Sequence, residues 1–206
     1  MRHLKKAALS TILVLAAMTM FGAGSASATE LYKYTTPSAN DTLGIGTNLQ
    51  MTLQAGSSLL LWDTFSMPYI VGTCTSSELQ GKTGSAGGES SHPEGTLSTV
   101  SFTGCLEDPI FTIATGTFRI QHIAGTTDAT LIVNGMKFKY KNTFLGFECT
   151  VVMNGSFGTL TGVTSSTGHV KLDVFANLEG TNCGTPARLT GSYTVTSPTG
   201  LIFEAK

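Results

Sequence analysis

Helical periodicity is what this sequence lacks most. Beyond residue 28, apolar residues almost never recur at the 3.6-residue spacing of an amphipathic helix, so helix should be nearly absent. Charge is scarce as well: Asp, Glu, Lys and Arg make up 12% of the chain and the formal net charge is −1, which leaves no basic footprint for nucleic acid or anionic lipid. There is no Cys-x-x-Cys, no His-Glu-x-x-His, no phosphate-cradling glycine loop and no dinucleotide fingerprint, so no metal or other cofactor is expected. The nearest approach to a nucleophile elbow, Asn154-Gly155-Ser156-Phe157-Gly158, has Asn where glycine is needed and reads as a hairpin turn. Glu107-Asp108 is the single adjacent acidic pair, and neighbours in an extended segment point to opposite faces.

What is present begins with an export leader. Arg2, Lys5 and Lys6 precede an uncharged apolar run, Ala7 to Phe21, and small residues end it at Ala26-Ser27-Ala28, the layout of a cleavable signal peptide. The run falls short of the roughly 20 residues that span a bilayer, and no cysteine stands near the cleavage point to accept a lipid. Residues 1–28 are therefore expected to be removed, leaving 29–206 as one soluble, secreted domain with no membrane span. The hydrophobic fraction, 41%, is ordinary for a folded domain, although Thr, Ser and Gly are abundant.

Period-two alternation runs through the mature chain. Lys137-Phe138-Lys139-Tyr140-Lys141 sets three lysines on one face and two aromatics on the other, and His169-Val170-Lys171-Leu172-Asp173-Val174 repeats the arrangement. Such half-buried strands are separated by turn clusters, among them Asn134-Gly135, Asn154-Gly155-Ser156 and Ser165-Ser166-Thr167-Gly168. The fold class that follows is all-β, an antiparallel β-sandwich of Greek-key or meander type with about nine to twelve short strands. The lysine row reads as an edge-strand guard against aggregation. Gly81 to Gly95 reads as a mobile loop inside the domain.

Four cysteines, Cys74, Cys105, Cys149 and Cys183, follow the leader, and an exported chain oxidises them. Three pairings are open. Sequential pairing is favoured because the intervals are alike, 31 and 34 residues, and both begin Cys-Thr and approach their second cysteine through glycine. An internal duplication of a strand-loop-strand unit would explain the likeness, as would coincidence in a Gly/Thr-rich chain.

Catalytic constellations are missing. His92 falls in the loop, and His122 and His169 fall at polar-face strand positions; Asp173, four residues from His169 on the same face, forms with it the least weak acid-base pair. Trp62, the single tryptophan, ends an apolar run and reads as packing the end of the sandwich. Its alternative is a binding patch with Phe65, Met67 and Tyr69 for a glycan, a lipid or a partner protein.

Several segments carry a family likeness: Gly56-Ser57-Ser58-Leu59, Gly72-Thr73-Cys74-Thr75-Ser76-Ser77, Val100-Ser101-Phe102-Thr103-Gly104-Cys105, Phe147-Glu148-Cys149, Asn182-Cys183 and Gly191-Ser192-Tyr193-Thr194-Val195. Together they resemble the secreted four-cysteine actinobacterial proteins of unknown function and, more distantly, the Pseudomonas alkane oxidation activators, a family linked to the extracellular surface and biofilm. The Pro-Trp pair that related members carry near the middle is absent from Ile113–Ile120. No catalytic residue comes across with the likeness. The expected function is a non-enzymatic component of the cell envelope or extracellular matrix, self-associating or adhesive. The alternatives are a lipid- or glycan-binding module and, behind it, a hydrolase.

Overall fold

The computed structural model describes residues 29–33, 44–63, 69–87, 91–106, 110–142, 146–162, 168–181, 183 and 186–205. The expected leader lies outside the described residues, as do Phe65, Met67, Glu107 and Asp108. Twelve strands follow in order: β1 (Thr29–Lys33), β2 (Asn48–Leu53), β3 (Leu59–Asp63), β4 (Tyr69–Thr83), β5 (Glu94–Leu106), β6 (Ile110–Ala114), β7 (Thr117–His122), β8 (Ala129–Asn142), β9 (Phe147–Thr161), β10 (His169–Glu179), β11 (Ala187–Ser197) and β12 (Leu201–Ala205). The architecture is all-β and antiparallel throughout, as expected, and no described helix is long and apolar enough to cross a membrane.

The strands do not divide into two facing sheets. Apart from the β1–β12 pair, ten strands form one ladder, which runs β10-β9-β8-β7-β5-β4-β2-β11 and returns to its start through β10–β11. β3 lies end to end with β2 between β11 and β4, and β6 and β7 pair with successive parts of β8, so the circuit has eight positions. Among the described residues the join is narrow at one place: β7 meets β5 only over Glu94–Thr96 and β6 pairs with β8 alone, so the rest of β5 is paired on one side, with β4. β8 is flanked by β9 on one side and by β7 and β6 on the other. The lysine row therefore stands on an interior strand rather than an edge, and Lys139 forms an ion pair with Glu148 on β9.

Alternation decides what enters the circuit. Along β10, Val170, Leu172, Val174, Ala176 and Leu178 are buried while every intervening residue is exposed. Tyr140, Tyr193, Phe138 and Phe157 are fully buried and join one apolar cluster with the inward Leu, Val, Ile and Met side chains. This apolar-in, polar-out order is the reverse of a membrane-spanning barrel, whose lipid-facing band is apolar.

Two expected turns are bulges instead. Asn134-Gly135 lies within β8 and Asn154-Gly155-Ser156 within β9, and the register between these strands shifts between Val133 and Met136. Gly135 and Gly155 both take positive φ there, 72° and 121°, which glycine tolerates without a Cβ clash. The Asn154 side chain accepts a hydrogen bond from the Gly135 N–H at 2.8 Å, a donor that the shifted ladder leaves over. β8 and β9 thus continue through these segments, which explains why they have 14 and 15 residues rather than being short; β4 and β5 have 15 and 13.

The sequential cysteine pairing holds, with bridges Cys74–Cys105 and Cys149–Cys183. Cys74 and Cys105 stand directly opposite each other on β4 and β5, their Cα atoms 3.9 Å apart. Cys149 near the start of β9 reaches Cys183 just beyond β10. Each bridge closes the open end of a two-strand unit, β4–β5 in one case and β9–β10 in the other, opposite the connecting loop. Disulfides form and persist in oxidising surroundings, so the stapled fold belongs to such a compartment.

Candidate functional site

Trp62 faces outward. In β3 the buried residues are Leu59 and Leu61, so Leu60 and Trp62 occupy the opposite face, and Trp62 is half-buried on the outside rather than packed into the interior. Its indole N–H donates to the Thr190 hydroxyl on β11 at 3.1 Å. Thr190 is short, so this bond draws the ring down across the sheet instead of letting it stand free.

Register sets Trp62 in a row across four strands. Phe175 of β10 is opposite Arg188 of β11, Arg188 is opposite Trp62 of β3, and Trp62 is opposite Ile70 of β4. The last pairing depends on an irregularity: the register shifts after Leu61, which turns Val71 into the core and Ile70 outward. Phe175 is 65% exposed and Ile70 43%, both large apolar side chains in water. With strands about 4.8 Å apart, Phe175 and Trp62 lie about 10 Å from one another on alternate strands.

Arg188 is held in place between the two aromatics. Its Nε and Nη2 each donate to an Asp173 carboxylate oxygen at 2.7 Å, a two-point geometry that fixes the guanidinium plane. The guanidinium carbon is 6.0 Å from the centre of the Phe175 ring, within cation–π range. The hydrogen bonds from Arg188 hold the Asp173 carboxyl below its ordinary pKa, and the same bonds raise that of Arg188. A cleft of about 260 Å³ adjoins the row, its lining including Ser57, Ser58, Lys171, Asp173, Thr190 and Ser192.

The acid-base pair does not assemble. Four residues along a strand are about 13 Å, so His169 and Asp173 share a face of β10 without meeting, and Asp173 is engaged by Arg188. His122 is a second correction. It follows Phe118 and Ile120 on the inward face of β7 and is 8% exposed, with Nε2 2.7 Å from the Thr126 carbonyl oxygen. The alternation of Thr117-Phe118-Arg119-Ile120 carries it inward because polarity at a strand end yields to the parity of the residues before it. Burial and the nearby Arg119 lower the His92 pKa.

Among the described residues no group of three His, Cys, Asp or Glu side chains is placed to hold a metal ion. Of the four residues of the alternative binding patch, Trp62 is half-buried on the outer face, Phe65 and Met67 lie outside the described residues, and Tyr69 is described only through its backbone pairing with Asp63. Phe175, Arg188 and Ile70 were not expected. Phe175 was detectable, being an aromatic at an outward position of a strictly alternating strand; Arg188 and Ile70 become neighbours of Trp62 only through register. No family model, no curated protein and no solved structure matches this chain.

Proposed function

We propose that this chain is an exported, non-enzymatic protein of the cell envelope or extracellular matrix. The observation that carries the proposal is the pair of bridges closing β4–β5 and β9–β10, a stapling suited to a protein that works outside the reducing cytosol. The charged leader with Ala26-Ser27-Ala28 supports export, and the likeness to secreted four-cysteine actinobacterial proteins supports the same destination. Among the described residues, the gap lined by Leu49, Met51, Ile120 and Leu131 inside the circuit amounts to about 10 Å³, no more than one water requires, which argues against a ligand carried at that point. The outer surface carries the exposed side chains through which such a protein would interact.

The experiment is non-reducing peptide mapping of the native protein from culture supernatant and from washed cells. A chain that starts at Thr29, carries both bridges and is found outside the cytoplasm is the expected result. A reduced chain retained in the cytoplasm overturns the proposal, as does turnover of ester or glycoside substrates at enzyme-like rates by the purified protein.

A further inference from the structure

The row Phe175–Arg188–Trp62–Ile70 and the cleft beside it form a surface of one particular kind. Two aromatic side chains stand on alternate strands, and between them an arginine is held still by Asp173. Alongside are hydroxyls of Ser57, Ser58, Thr190 and Ser192 and the charges of Lys171 and Asp173. We propose that this face binds an extended, equatorially linked glycan, its pyranose rings lying along the row. The assignment rests on the exported, surface-acting reading above and gives it a ligand class.

The chemistry of such a glycan matches both halves of the site. An equatorially linked pyranose presents a flat face of C–H groups, weakly positive, which suits the negative face of an aromatic ring. Its hydroxyls lie around the ring edge, where they can donate to the free lone pairs of Asp173 and the serine and threonine oxygens and accept from Lys171. Rigid aromatics lose little conformational freedom on binding, and the bond from Trp62 to Thr190 has already restricted the indole. The row crosses four neighbouring strands and so offers more than one contact point, which fits a chain of sugars better than a single ring.

The same features disfavour other occupants. A stable protein interface needs about 800 Å² on each side, whereas among the described residues the apolar row is bordered by Lys171, Asp173 and Ser192. A lipid surface calls for continuous apolar area, and the ion-paired Arg188 interrupts it.

Trp62 is the single tryptophan, so its emission reports this face alone. Titration of the oxidised mature protein with cellohexaose and with N-acetylchitohexaose should give a saturable change in Trp62 emission for at least one of them. Phe175→Ala should weaken that binding about tenfold or more, the usual effect of losing an aromatic anchor. Phe175 is mostly exposed, so the variant keeps its fold, which circular dichroism verifies. Lys141→Ala, on another part of the outer surface, should bind like the parent protein. The proposal is overturned if neither sugar alters Trp62 emission or gives heat by calorimetry, or if Phe175→Ala binds as tightly as the parent. It is equally overturned if phosphatidylglycerol vesicles change the emission and neither sugar does. Cell fractionation judges export separately: an exported chain that ignores both sugars loses the glycan proposal alone, and a sugar-binding chain kept in the cytoplasm loses the envelope reading alone.

Discussion

The phenol of Tyr193 on β11 donates to the hydroxyl of Ser77 on β4, 2.9 Å away, with both side chains fully buried. β2 runs between these two strands, so the bond ties them together inside the sheet, across residues 116 positions apart. Tyr193→Phe removes the donor and leaves the Ser77 oxygen short of a partner, and should cost about 1 kcal/mol. Urea unfolding would measure it as a lower midpoint at unchanged slope.

Alkaline pH should strain the same contact. Burial pushes the Tyr193 pKa up to about 12, against an ordinary value of about 10. Because the folded state holds its proton more tightly than the unfolded one, the stabilisation is complete below pH 10 and is lost as pH rises toward 12. The loss amounts to about 2–3 kcal/mol once both states are ionised. Ultraviolet titration should show a tyrosine that ionises only with unfolding, and Tyr193→Phe should flatten the pH dependence over that window.

Each disulfide should make a separate contribution. Closing a loop of this size removes unfolded-state entropy worth about 3–4 kcal/mol, a large fraction of the stability of a single domain. A Cys74→Ala, Cys105→Ala double variant should lower the urea midpoint, with Cys149–Cys183 still formed by peptide mapping. An unchanged midpoint would mean that the β4–β5 ladder alone holds those ends together in the unfolded ensemble.

Gly95→Ala should be among the most damaging small substitutions. A Cβ at Gly95 would lie 2.7 Å from two ring carbons of Phe118 and 2.1 Å from the Lys82 carbonyl oxygen, which is backbone and cannot step aside. Gly81 meets the same ring at 2.9 Å, so Phe118 packs over both glycines where β4, β5 and β7 come together. The cost should reach or exceed the upper end of the roughly 1–3 kcal/mol typical of overpacking. Phe118→Ala combined with Gly95→Ala should recover part of the clash while losing the ring's burial, which a double-mutant cycle separates.

Local order was legible in the sequence wherever alternation was clean. The Lys137 to Lys141 segment and the His169 to Val174 segment each have their apolar partners buried and the rest turned out, because side chains on an extended backbone switch faces at every residue. The all-β class and the antiparallel order follow from the same local signals; the similar intervals favoured the sequential cysteine pairing among three open ones, and the structure decided it. His122 was misread because a single polar residue says less than the parity of Phe118 and Ile120. Asn134-Gly135 and Asn154-Gly155-Ser156 were misread as turns because glycine at positive φ serves a bulge as well as a hairpin, and the difference lies in whether a partner strand continues past it.

By itself, the sequence determined which face of each regular strand is apolar, and that four cysteines would staple an all-β chain. Tertiary structure alone decided which strands are neighbours: that β10 meets β11 to close the circuit, that β2 and β3 share one position, and that a register shift after Leu61 turns Ile70 outward beside Trp62. The physical reason is one of range. Alternation is a property of consecutive residues, whereas register is settled by the joint burial of strands far apart in the chain, and a row such as Phe175–Arg188–Trp62–Ile70 exists only after every register has been set.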